Sequence, residues 1–151
     1  MSPEAGEFEL HPRLQQDCVE LGRFALCRLL LMHERRYPWL ILVPQRSGTS
    51  EIYQLSPKDQ MQLLRESSWL AQVLSEEFAA DKLNIAAIGN LVPQLHVHHI
   101  VRYRHDAAWP APVWGKFDPA PYSPDALDLL KTRLRTALSR SPLPGWSWTA
   151  E

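Results

Sequence analysis

Gln94, His96 and His98 stand at alternate positions in the run Gln94-Leu95-His96-Val97-His98-His99-Ile100. An extended backbone sends alternate side chains to one face, so these three project together while Leu95 and Val97 turn the other way. The strand repeat sets the two imidazoles about 7 Å apart. Near neutral pH an imidazole can act as a nucleophile toward phosphorus, and a neighbouring imidazole can donate hydrogen bonds to phosphate oxygens. That division of labour requires no metal and no cofactor, and none is expected. Two other readings compete with it. Neutral imidazoles also suit zinc, copper or iron, with His96, His98 and His99 as ligands, but such sites generally need three or four ligands, often with a carboxylate or thiolate. No Asp, Glu or Cys lies between Lys82 and Tyr103. The third reading, plain surface histidines, suits a lone ring better than a cluster beside a Gly89-Asn90 turn. His99 breaks the apolar side of the alternation and is assigned a structural role.

The elements that must present this face follow from local signals. Gly22 to Met32 and Trp39 to Pro44 are apolar runs around the polar segment His33 to Tyr37, which reads as two antiparallel strands and their hairpin. Ser56-Pro57-Lys58-Asp59 supplies an N-cap serine, a proline at the first helical position and an acid three residues after the cap. A helix is predicted from there to about Ala80, burying Met61, Leu64, Leu70, Val73, Leu74 and Phe78. Lys82 to Gly89 and Leu95 to Tyr103 have strand length, with a turn between them. Residues 104–122, rich in Pro and Trp, read as an ordered surface segment without regular structure. Ser123-Pro124 starts a second amphipathic helix through Leu127, Leu130, Leu134 and Leu138, which Pro142 and Pro144 stop. Without strict βαβ alternation the expectation is an α+β fold, a mainly antiparallel five-stranded sheet with two main helices.

Composition sets outer bounds. The 151 residues suit one domain, 1–151, with 104–151 as a C-terminal extension and helix. Sixteen basic residues against seventeen acidic ones exclude a bulk field for nucleic acid, so any anion site must be local. No leader precedes an apolar run after Met1-Ser2-Pro3-Glu4, and no segment approaches a membrane span, so no membrane association and a cytoplasmic location are expected. Cys18 and Cys27, nine apart, match neither a CxxC motif nor a zinc pair and read as reduced core residues.

Gly89-Asn90-Leu91-Val92-Pro93-Gln94-Leu95-His96-Val97-His98-His99-Ile100 resembles the histidine triad signature, Gly-Gln-Ser/Thr-Val, one residue, then His-x-His-x-His. Pro38 to Arg46 resembles the family's upstream Gly-His-apolar-Leu-apolar-x-Pro-x-Arg segment, and the likeness spans roughly residues 22 to 103. It implies a HIT-like fold and a nucleotide hydrolase or nucleotidyl transferase acting on a nucleoside phosphate or dinucleoside polyphosphate. By position His96 is similar to the middle histidine, whose ring attacks the α-phosphate. His98 is similar to the last, which contacts phosphate oxygens. The resemblance puts Asn84 and Asn90 at phosphate-binding positions and His33 near the ribose. Gln94 stands where the first histidine is usual, Trp39 where a separate upstream histidine is usual, and Leu91 where a Ser or Thr hydroxyl is usual. Gln94 is therefore taken as part of the catalytic group and Trp39 as part of the substrate site. Tyr37-Pro38-Trp39 and Trp109-Pro110-Ala111-Pro112-Val113-Trp114-Gly115 are similar to segments of a branch whose motif runs Gln-x-His-x-His. Trp109 and Trp114 read as packing or dimer contact, and the family likeness implies a homodimer.

Overall fold

The computed structural model describes residues 8–150; the N-terminal reading at Met1 to Glu4 lies outside them. A short helix, α1 (Pro12–Asp17), leads into β1 (Cys18–Arg23), β2 (Cys27–Met32) and β3 (Trp39–Pro44). Helix α2 (Pro57–Phe78), β4 (Lys82–Ala86), β5 (Val97–Arg102), α3 (Pro124–Ser139) and the two-residue β6 (Ser147–Trp148) follow. The sheet order is β4-β5-β3-β2-β1-β6, and every pairing is antiparallel. The α+β class and antiparallel sheet are as expected, with six strands rather than five.

The first difference lies in Gly22 to Met32, which is two strands and a turn rather than one strand. Phe24, Ala25, Leu26 and Cys27 carry no residue that marks a turn, and the turn is held from elsewhere. Glu66, on α2 and fully buried, accepts the amide protons of Leu26 and Cys27, both at 2.9 Å. A buried carboxylate with its oxygens filled by backbone donors pins strand to helix. At Gly22, where β1 meets the C-terminal tail, a Cβ would lie 2.4 Å from the Ser147 carbonyl oxygen, so only glycine lets the tail cross there.

Helix α2 begins as expected. Ser56 Oγ accepts from the Asp59 amide, with Pro57 at the first turn. Its buried stripe is Leu63, Glu66, Leu70, Leu74 and Phe78. Met61 and Leu64, expected in the core, are 55% and 60% exposed. Nine residues are two and a half turns, so Met61 sits opposite Leu70.

Two apolar layers cover the sheet. On one face α2 and α3 close a core that includes Leu29, Leu31, Leu40, Leu42, Val97 and Val101, with Leu134 and Leu138 from α3. On the other, Leu30, Ile41, Val43 and Ile100 pack against Phe8, Leu10 and Leu14 from the N-terminal segment and Ala108 and Val113 from the Pro/Trp-rich segment. Arg102, 1% exposed, fixes that second cover. Its guanidinium bonds both Asp106 oxygens at 2.7 and 3.1 Å and the Ala111 carbonyl at 2.8 Å. Cys18 and Cys27 are free and buried, and burial and the charge of Asp17 push the Cys18 thiol up to about 12. Among the described residues no helix is long and apolar enough to cross a membrane.

Candidate active site at the start of strand β5

Residue parity on β5 divides its side chains as the alternation requires. Leu95, Val97 and Val101 enter the helix-side core, and Ile100 enters the opposite one. His98 lies on that opposite face, edge-on to Trp39 and Trp114 at ring-centroid distances of 5.6 and 5.3 Å. The His96 and His98 rings lie closer than a strand repeat, with centroids 4.8 Å apart at 70°. The cause is that His96 precedes the strand, which starts at Val97, so its ring is free to lean onto its neighbour. Each is 7% exposed.

The hydrogen bonds assign the ring protons. His96 Nδ1 is 2.7 Å from the Gln94 carbonyl oxygen, and a carbonyl only accepts, so Nδ1 carries the proton. In the neutral ring the lone pair of His96 is then on Nε2. His98 is the reverse: Trp39 Nε1 lies 2.9 Å from His98 Nδ1, and an indole nitrogen only donates. Nδ1 of His98 therefore accepts, and its proton sits on Nε2. Burial, then the neighbouring rings of His96 and His99, lower the His98 pKa to about 3, so it remains neutral near pH 7. With both rings neutral, the pair thus sets a nitrogen that can accept, Nε2 of His96, beside one that can donate, Nε2 of His98.

His99 occupies the other face, as its break in the alternation suggested. Its Nδ1 bonds the Val97 carbonyl at 3.1 Å and its Nε2 meets Ser67 Oγ at 2.7 Å. Full burial lowers its pKa to about 4. The three histidines therefore do not converge on one point, and among the described residues no group of three or more His, Cys, Asp or Glu is arranged to hold a metal ion.

The remaining expected residues divide. Gln94, expected among the reacting groups, has its side chain committed elsewhere: Oε1 accepts from the His11 amide and Nε2 donates to the Glu9 carbonyl, both at 2.9 Å. Trp39, expected at the substrate, is buried and gives its one donor to His98. Asn84 shares the sheet face of His98 but lies opposite Ile100, and its Oδ1 accepts from Arg102 at 2.7 Å. Asn90 is exposed in the loop between β4 and β5. His33 lies in the loop between β2 and β3, its amide bonded to the Asp17 carbonyl at 3.1 Å. Its loop meets the far end of β5, where the Val101 amide bonds the Pro38 carbonyl.

His96 opens onto a crevice lined by Ser50 and Glu51 from one loop and Ala87, Ile88 and Gly89 from another. Gly89, at φ +68°, turns that second loop in a region that disfavours side chains. A larger open hollow of about 920 Å³ lies by the N-terminus of α2, with Arg46, Thr49 and Lys58 on its walls. It contains no imidazole; the crevice at His96 holds only about 10 Å³ and follows it in the chain, Thr49 lining the one and Ser50 the other. Ser50, Glu51 and the backbone of Glu9 and His11 had no signal in the sequence, since none belongs to a motif.

Known proteins share this fold. The pattern of the HIT domain family matches residues 13–105. A solved histidine triad protein from Marinobacter aquaeolei VT8 is 50% identical, with 88% of this chain and 97% of that one covered and a TM-score of 0.86. One from Bradyrhizobium japonicum is 44% identical, covering 86% and 97%, with a TM-score of 0.83. Another from Sinorhizobium meliloti 1021 is 41% identical, covering 89% and 99%, with a TM-score of 0.86. Among curated proteins, none matches the chain.

Proposed function

The chain belongs to the histidine triad family of nucleotide-binding hydrolases and transferases, and from that premise we propose that it cleaves a nucleoside phosphate or dinucleoside polyphosphate at the α-phosphorus. His96 Nε2 attacks phosphorus, a nitrogen–phosphorus bond forms, and the bond to the leaving oxygen breaks with its electron pair on that oxygen. Water or another hydroxyl acceptor then attacks the nucleotidyl-imidazole, the phosphorus–nitrogen electron pair returns to Nε2, and the proton that the acceptor loses passes to solvent. His98 Nε2–H donates to a phosphoryl oxygen as charge develops there. The observation that carries this reading is the opposed pair of ring hydrogen bonds, His96 Nδ1 to the Gln94 carbonyl and Trp39 Nε1 to His98 Nδ1.

A second reading, a nucleotide-binding sensor with little turnover, is favoured by the engaged Gln94 side chain, which leaves that position without a titrating group for the leaving oxygen. General acid assistance contributes about 10²- to 10⁴-fold, so its absence slows a site without disarming the nucleophile. Two exposed apolar positions on α2, Met61 and Leu64, with Ile85 on the outermost strand β4, support a homodimer.

Intact-mass spectrometry after an alkaline quench, with diadenosine tetraphosphate as substrate, tests the chemistry. The wild type should carry a nucleotidyl adduct and His96→Ala none, with nucleotide release falling by more than about 10³-fold. Equal release from both proteins would remove His96 as nucleophile, and saturable nucleotide binding without product would establish the sensor.

A further inference from the structure

Gln94 supplies two separate groups to its surroundings. Its main-chain carbonyl takes the His96 Nδ1 proton, while its side chain holds residues 9 and 11, more than eighty positions away. The fit of that side chain is specific. In an extended segment the carbonyl of one residue and the amide two residues on point to the same edge, and a carboxamide offers an acceptor and a donor side by side on one plane. A single glutamine thus reads Glu9 and His11 together. The two nitrogens of an imidazole point away from each other, so a histidine at 94 could not make both bonds.

The peptide that follows is held as well. Its carbonyl is the His96 acceptor, and its amide, Leu95 N, donates to the Thr49 carbonyl at 2.9 Å. Leu95 is buried in the helix-side core. Side chain, carbonyl and following amide are thus all bonded, and a peptide fixed in this way keeps one oxygen aimed at His96.

We infer that Gln94 is a positioning residue: its side chain docks the segment at residues 9–11 and thereby fixes the carbonyl that keeps the His96 proton on Nδ1 and the lone pair on the attacking nitrogen. This deepens the proposed reaction and rests on it for its kinetic consequence, but not for its structural one. The glutamine that departs from the triad pattern is in this sense a substitution of function, from a ring near phosphate to a clamp behind the nucleophile.

The full chain tests it through two variants. Gln94→Met keeps length and volume without the bonds, and Gln94→Glu keeps the acceptor for the His11 amide. Nitrogen-15 NMR of the histidine rings, with no substrate, reads the tautomer. In the wild type His96 should be protonated on Nδ1, in Gln94→Met a mixture should appear, and Gln94→Glu should fall between them. With diadenosine tetraphosphate, kcat should fall by about 10- to 10²-fold in Gln94→Met, by analogy with the loss of groups that orient metal-ligating imidazoles, with KM within about twofold. If Gln94→Met does not fold, the Gln94→Glu ring spectrum and kcat decide the matter. A wild-type tautomer in the variants overturns the inference, even where the melting temperature drops. A wild type that forms no adduct, but whose ring spectra shift as described, removes the proposed reaction and leaves the clamp standing.

Discussion

At the scale of single residues, the departures from the triad pattern are accommodated by hydrogen bonds of fixed direction. Trp39 is the clearest case, because an indole nitrogen never accepts, so its 2.9 Å bond leaves His98 one tautomer. Trp39→Phe keeps most of the ring but leaves the buried Nδ1 of His98 without a donor, which frees the proton to move to that nitrogen. The outward N–H is then lost from part of the population. kcat/KM for diadenosine tetraphosphate should fall by about three- to tenfold, the worth of one neutral hydrogen bond, while the His96 adduct still forms. Trp39→His, which can donate, should recover part of the loss. Unchanged kinetics in Trp39→Phe would show that Trp39 only fills space.

At the scale of elements, β5 is tied to α2 by a titratable group, the contact of His99 with Ser67. His99 and His98 have folded-state pKa values lowered by burial to about 4 and about 3, against an ordinary value near 6.5. The unfolded chain therefore binds more protons than the folded one between those limits, and stability is lost as pH falls from about 6.5 toward 4. Each ring contributes a slope of about 1.4 kcal/mol per pH unit in that window, whose upper part, above about pH 5, lies above the range where ordinary carboxylates titrate. Urea unfolding at pH 7, 6 and 5 should show this decline, and His99→Gln, which cannot titrate, should roughly halve its slope, His98 supplying the rest; constant stability across that range would contradict the buried, neutral state of both rings. The elements themselves were legible where their signals are local. The Ser56 cap, the Ser123 cap and the alternation around His96 and His98 needed only neighbouring residues. What could not be read came from distant partners: Glu66 making a turn out of an apolar run, or Gln94 and Trp39 finding partners 83 and 59 positions away. The misplaced Met61 and Leu64 show the limit of periodicity, since a helix with apolar residues on more than one side does not announce which side is buried.

At the scale of the whole molecule, those same two side chains and one open edge define how copies would meet. One end of the sheet is the two-residue β6; at the other, among the described residues, nothing pairs with the outer edge of β4. An unpaired edge presents free backbone donors and acceptors to another strand. Ile85, 49% exposed on that edge, pairs with His99, and His99 touches Ser67, one helical turn from Leu64. Open hydrogen-bonding groups and apolar side chains thus belong to one region, as a joint between two sheets requires. The loop that follows β4 supplies Ala87, Ile88 and Gly89 to the His96 crevice, so pairing there would also steady the wall of the site. Light scattering at micromolar concentration should give twice the chain mass for the wild type. Ile85→Lys, which places a charge on the edge and discourages strand pairing, should halve it. A wild type of single-chain mass would leave β4 a solvated edge and the crevice complete within one copy.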